Sequence, residues 1–350
     1  MDRKGWIECS IGEACKDIFA GGDVPKTAFS KEKTESYPIP IFSNGVENDG
    51  LYGYTDTPRV TEPCVTISGR GTIGHCVLHV KPFYPIIRLI SAIPKDTIDI
   101  RYFYYALSSI KFKSTGVTIP QLTVPAVKSY RFIYPVEIEE QQRIVAELDL
   151  LSSIVKKKNA QLKTLDDLAM SVFAETFDCD VHNWNEKPLA NCVNKVKYTT
   201  KLQTKDFLKN GKFPIISQEE EFISGYWNSP EDLFRVKKPV VIFGDHTRVL
   251  KYIDFDFVLG ADGVRILEPI DELNPQYLYY FLRSNPVENL GYSRHFKLLK
   301  EKMVVIPPVS MQKVFAEKVK SINKQKIVIG SSLRVATELL NSRIDTYFKV

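Results

Sequence analysis

Long hydrophobic runs are missing from this 350-residue chain. No stretch approaches the roughly 20 apolar residues of a membrane-spanning helix. The start, Met1-Asp2-Arg3-Lys4-Gly5-Trp6, leads into no apolar segment of the kind a secretory signal needs. The expected setting is the cytoplasm, with no membrane partner. Cysteine is sparse: Cys9, Cys15, Cys64, Cys76, Cys179 and Cys192 make no C-x-x-C pair. Cys179-x-x-His182 is half a zinc site without its other half, so free thiols in a reducing compartment are expected, and no metal. Catalytic signatures are absent too. The chain holds no H-E-x-x-H, G-x-S-x-G or Walker loop, and its five histidines are scattered without triad spacing. Ile306-Pro307-Pro308-Val309 lacks both flanking residues of the (D/N)-P-P-(Y/F) motif that holds a flipped base.

Charge of one sign is also lacking. The net +5 divides as 21 basic and 21 acidic residues over 1–175 and 26 and 21 over the remainder. A histone-like polybasic binder is excluded, whereas reading nucleic acid through local patches is not. With 44% hydrophobic and 25% charged residues the composition is that of a folded protein, and the length suggests two to three domains.

What is present is written twice. Trp6-Ile7-Glu8 returns as Trp184-Asn185-Glu186, Pro40-Ile41-Phe42-Ser43 as Pro214-Ile215-Ile216-Ser217, and Gly53-Tyr54 as Gly225-Tyr226. Val65-Thr66-Ile67-Ser68-Gly69-Arg70-Gly71-Thr72 aligns with Val240-Val241-Ile242-Phe243-Gly244-Asp245-His246-Thr247. Tyr102–Leu107 aligns with Tyr277–Leu282, Gly116 with Gly291, and Pro135-Val136 with Pro308-Val309, followed by Gln141 and Gln312. Most later offsets lie near half the chain length.

Each copy has two parts. The first, residues 1–137 and again 180–308, carries short β-type runs punctuated by Gly and Pro, then a short amphipathic helix near 101–110 and 275–284. This reads as a mixed α/β domain. The second part, 138–179 and 309–350, is a long proline-free helix with alternating four–three apolar spacing. Its stripe runs Ile144, Leu148, Leu151, Val155, then Leu162 and Leu165 beyond Lys158. In the second copy it runs Phe315, Val319, Ile322, then Ile329, Leu333 and Leu340 beyond Lys326. Residues 139–176 alone would span about 57 Å. So long a rod with one narrow apolar face needs a partner, and the other rod supplies it if the two lie antiparallel. Glu139, Glu140, Asp166 and Asp167 fall on its polar side and read as a solvated face.

The expected fold class is α+β: two tandem α/β domains, each followed by a long helix, the helices forming an antiparallel coiled coil. Gly69-Arg70-Gly71-Thr72-Ile73-Gly74 spells a dinucleotide fingerprint, but a strand rather than a helix should follow it, so it reads as a hairpin tip. Polar and cationic residues recur on matching loops. The first hairpin offers Ser68, Arg70 and Thr72, and its counterpart Asp245, His246, Thr247 and Arg248. The loop after the short helix offers Lys113, Ser114, Thr118 and Gln121, and its counterpart Tyr292, Ser293, Arg294, His295 and Lys297. Arg and Lys can pair with guanine, Gln with adenine, and Asp can accept from cytosine; hydroxyls suit phosphate. Like scaffolds with unlike loops suggest two readers of two sequences.

This layout resembles the specificity subunit of type I restriction–modification enzymes. Ser68–Gly74 followed by Pro82-Phe83-Tyr84-Pro85 looks like a target-recognition-domain core, and Arg101–Leu107 like its short helix. Gln141-Gln142-Arg143-Ile144-Val145 looks like the family's helix start, and Arg294–Lys300 like a segment of second domains. The resemblance implies a non-catalytic subunit without cofactors of its own. It would bind a bipartite double-stranded DNA target and scaffold methyltransferase subunits, which carry S-adenosylmethionine, and restriction subunits, which use ATP and Mg. Residues 1–137 and 180–308 would be the target-recognition domains, and 138–179 and 309–350 the conserved helices. The second helix start lacks the doubled Gln, and the second hairpin loses two glycines. Two other readings carry a test each: a stand-alone nucleic-acid-modifying enzyme would act on DNA by itself, and a coiled-coil interaction protein would show no salt-dependent DNA retention.

Overall fold

The computed structural model describes residues 3, 5–114, 120–177, 184–260, 262–291 and 293–349. Thr118, Gly116, Cys179, His182 and Tyr292, singled out above, lie outside the described residues. The chain forms two compact units. The first comprises residues 1–159 and 331–350, and the second 160–330.

Within the first unit a four-stranded antiparallel sheet runs in the order Cys15–Ala20, Ile90–Pro94, Cys64–Ile67, Cys76–His79. A smaller sheet orders Leu51–Thr55, Ile39–Phe42 and Tyr84–Pro85, the last pair parallel. A two-stranded ribbon joins Trp6–Ser10 to Arg131–Pro135.

The second unit repeats this plan. Its main antiparallel sheet is ordered Val193–Asn194, Val264–Pro269, Val240–Gly244, Leu250–Ile253. Its second sheet contains Lys201–Leu202, Phe257–Gly260, Phe213–Ile216 and Gly225–Trp227, again with a parallel pairing of Phe213–Ile216 on Phe257–Gly260. Asn185–Pro188 and Met303–Ile306 form its ribbon.

The central strands are buried along their whole length because both faces are covered. Along Val240–Gly244, Val241 and Phe243 join the cluster around the short helix, while Val240 and Ile242 join the opposite one with Phe257 and Leu259. Successive side chains of a strand point to opposite faces, so an uninterrupted apolar run results. The hairpin reading of Gly69–Gly74 is what the chain does: Cys64–Ile67 turns through it to pair antiparallel with Cys76–His79.

The short helices are Ile100–Ser109 and Pro275–Ser284. Asp99 caps the first, accepting from the amides of Arg101 and Tyr102, and Asn274 caps the second in the same way. Such caps pair amides that have no partner inside the helix. Each cap is itself held by a fully buried glutamine from a long helix. Gln141 accepts from the Asp99 amide at 2.8 Å and donates to the carbonyls of Thr97 and Pro135 at 3.0 and 2.9 Å. Gln312 accepts from the Asn274 amide at 2.7 Å and donates to Glu272 and Pro307 at 3.0 and 2.7 Å. This corrects the sequence alignment by one residue. Pro135 is matched by Pro307 rather than Pro308, because the connection to the glutamine is one residue shorter in the second copy.

Within each unit a segment of the long helix Ile138–Thr176 packs against a segment of the long helix Val309–Phe348. In the second unit Asp166 accepts from Lys326, and Phe173 packs edge-on to Phe315 at 5.5 Å. In the first unit Glu147 meets Arg343 at 2.8 Å and accepts from Tyr347 at 2.6 Å. Ile144, Leu148 and Leu151 are buried in the first unit, as are Phe315, Val319 and Ile322 in the second. Val155, Leu162, Leu165, Ile329, Leu333 and Leu340 are half-buried. Asp166, expected on a solvated face, is instead an ion-pair partner of Lys326 and lies 3.8 Å from Arg283.

Candidate nucleic-acid interface

In the first unit the hairpin tip is folded tightly on itself. The Ser68 amide donates to His75, and the Gly74 amide returns to Ser68. Ser68 is therefore only 2% exposed, which corrects the expectation that it is displayed. Arg70 is half-buried and Thr72 exposed at the outer edge. Asn44, unremarked in the sequence, ties neighbouring loops to this tip. Its side-chain oxygen accepts from the amides of Gly69 at 2.7 Å and Arg70 at 3.4 Å, and its amide group donates to Ile87 at 2.6 Å. The Leu122 amide donates to Gly69 at 2.8 Å, bringing half-buried Gln121 to the same place. Lys113 is exposed, its backbone amide held by the Tyr130 hydroxyl at 2.7 Å.

In the second unit the counterpart tip is organised around a buried carboxylate. Asp245 is 1% exposed and receives Arg265 at 2.7 Å and the Phe296 amide at 2.8 Å. Burial pushes its carboxyl up, but Arg265 and the Phe296 amide outweigh this and hold it below the usual carboxylate range. Its backbone carbonyl receives the amide and the Nδ1 of His295, whose Nε2 accepts from Leu290. Asp245 and His295 are thus not displayed to a ligand. They bolt Leu290 and Phe296 to the hairpin tip, so both are corrected from candidate readers to supports.

That support leaves Arg294 and Lys297 exposed, with Ser293 half-buried. His246 donates its amide to Gln218 at 3.2 Å and its Nδ1 lies 3.2 Å from the Ser293 carbonyl. The Thr247 hydroxyl donates to the Gln218 carbonyl. Arg248, at φ +61°, donates to Val287 at 3.2 Å. These three residues are half-buried, shaping the tip as much as lining it. Lys251 was invisible as a site residue in the sequence. It is buried, donates to the carbonyls of Ser217 and Glu221, and its ammonium is pushed down by burial.

Among the described residues, no group of three or more His, Cys, Asp or Glu side chains could hold a metal ion. No helix there is long and apolar enough to cross a membrane. Cys9, Cys15, Cys64, Cys76 and Cys192 are free and buried, and burial pushes the thiols of Cys15, Cys64 and Cys76 up to about 12.

The two units share one sheet plan, and each carries a hairpin tip braced by neighbouring loops, so the chain is a duplicated α+β protein. A family model for the type I restriction modification DNA specificity domain matches residues 3–164. A Mycoplasma pneumoniae protein named as a type I specificity subunit is 37% identical over 163 residues, 45% of this chain and 48% of that protein. Another, named as the C-terminus of such a subunit, is 35% identical over 134 residues, 38% of this chain and 91% of that protein. The crystal structure of a type I restriction–modification S subunit from M. genitalium shares the fold, with a TM-score of 0.63 at 18% identity over 99% of this chain and 96% of that one. The chain belongs to the family of type I restriction–modification specificity subunits. Its match spans about half the length of the first relative named here.

Proposed function

We propose that this chain selects a bipartite double-stranded DNA target, one part per unit, and does no chemistry itself. The observation carrying this reading is the duplication: two sheets of the same order bear loops of different chemistry. Residues 1–137 and 180–308 are the two readers, and 138–179 and 309–350 the helices that fix the gap between the half-sites. The reading residues proposed are Arg70, Thr72, Lys113, Thr118 and Gln121 for one half-site. For the other they are His246, Thr247, Arg248, Tyr292, Ser293, Arg294 and Lys297. Methyltransferase subunits carrying S-adenosylmethionine would supply the modification, and restriction subunits ATP-driven cleavage, in the cytoplasm. Phosphate contacts spread over all subunits supply affinity, so a net charge of only +5 on this chain suffices.

The test is selection from a randomised duplex library by the full chain with its methyltransferase. Arg294→Ala or Lys297→Ala should weaken preference in one half by about 1–3 kcal/mol per lost base contact and leave the other half unchanged. Equal relaxation of both halves would rule out the assignment of one domain to each half.

A further inference from the structure

The corner Ile86–Leu89 in the first unit is a tight turn closed by the Leu89 amide on the Ile86 carbonyl at 3.0 Å. Its two central residues are both left-handed, Ile87 at φ +49° and Arg88 at φ +60°. A turn with both central residues left-handed normally takes Asn-Gly, since a side chain there meets the backbone and a β-branched residue is a marked outlier. The equivalent connection in the second unit uses a glycine, Gly263 at φ +93°. The left-handed Asn48 and Asp49 nearby are residue types that tolerate this conformation. Ile87 and Arg88 are not.

The corner persists because its surroundings over-determine it. The Ile87 amide donates to Gly22 at 2.8 Å, the Arg88 amide to Gly21 at 3.1 Å, and Asn44 holds the Ile87 carbonyl at 2.6 Å. A Cβ on Gly69 would lie 3.1 Å from the Arg88 carbonyl, so corner and hairpin tip touch through their backbones. The Arg88 side chain is exposed, and no hydrogen bond or ion pair among the described residues holds its guanidinium. At the adjoining tip Arg70 has a buried Nε–H without a partner. Two arginines with unspent donors thus flank one braced surface, and one of them sits where glycine would fit better.

We infer that Arg88 is a specificity-determining residue of the first unit, reading a guanine edge in the half-site that unit engages. Its guanidinium presents a planar fork that donates to guanine O6 and N7 together, whereas the ammonium of lysine meets the same edge as a compact point charge. This rests on the DNA-reading role proposed above.

The experiment offers a randomised 40-bp duplex library to the full chain with its methyltransferase and sequences the bound fraction, with the thermal midpoint measured alongside. Arg88→Gly relieves the left-handed strain. It should leave the midpoint equal or higher while lowering enrichment of one G·C pair in one half-site at least tenfold. Arg88→Lys keeps the charge and should weaken the same preference, with overall binding reduced only severalfold. An unchanged motif with either variant overturns the inference, as does a lowered midpoint with both half-sites blurred. A folded wild-type assembly that enriches no motif overturns the DNA-reading role itself, a failure distinct from that of Arg88.

Discussion

Single side chains carry opposite messages about legibility. Gln141 and Gln312 stood out as a repeated residue, yet of the three hydrogen bonds each makes, two reach a carbonyl and a cap amide around 40 positions away. Removing either to Ala strands a cap amide and two carbonyls. Urea unfolding should show a loss of about 3 kcal/mol in each case. His79 gave no signal at all. It is 7% exposed, stacked on Phe83 with ring centroids 4.2 Å apart, and 3.0 Å from the Thr66 hydroxyl. Burial pushes its imidazole down from 6.5 to about 4. The unfolded chain therefore binds the proton first as pH falls. Stability is full above pH 6.5 and declines towards pH 4, by up to about 3 kcal/mol. The difference in unfolding free energy between wild type and His79→Phe should shrink in favour of the variant from pH 7.5 to pH 4.5. A difference that stays constant would contradict a neutral buried histidine. Ser68, Asp245 and His295 show the converse limit, since polar residues on a turn look displayed until the partners that bury them are known.

Among the elements, the long helices were the most legible. A four–three stripe without proline fixes both the helix and the face it hides. The strands were harder to bound: many are two to five residues long, and the central ones, apolar on both faces, show no alternation. The stripe also did not reveal that burial along it is uneven. Phe315 is fully buried among Phe173, Phe177 and Tyr280, whereas Leu162 is half-buried. Phe315→Ala should cost about 3–5 kcal/mol, and Leu162→Ala less than half of that. Thermal denaturation of the two variants compares them directly, and equal losses would mean a uniformly packed seam.

At the scale of the whole molecule, the duplication was readable because repeated order survives divergence of individual residues. The sheet topology repeats although the hairpin glycines do not. The loop chemistry is legible only as a set. Which residues stay exposed is decided by distant supports such as Asn44, Gln218 and Lys251, which have no motif. The most direct test of the central claim is to sequence modified bases in cells carrying this chain with its methyltransferase, against cells carrying the methyltransferase alone. One new motif in two parts, separated by a gap of fixed length, is the expected result. An unchanged pattern, or a single uninterrupted motif, would contradict it.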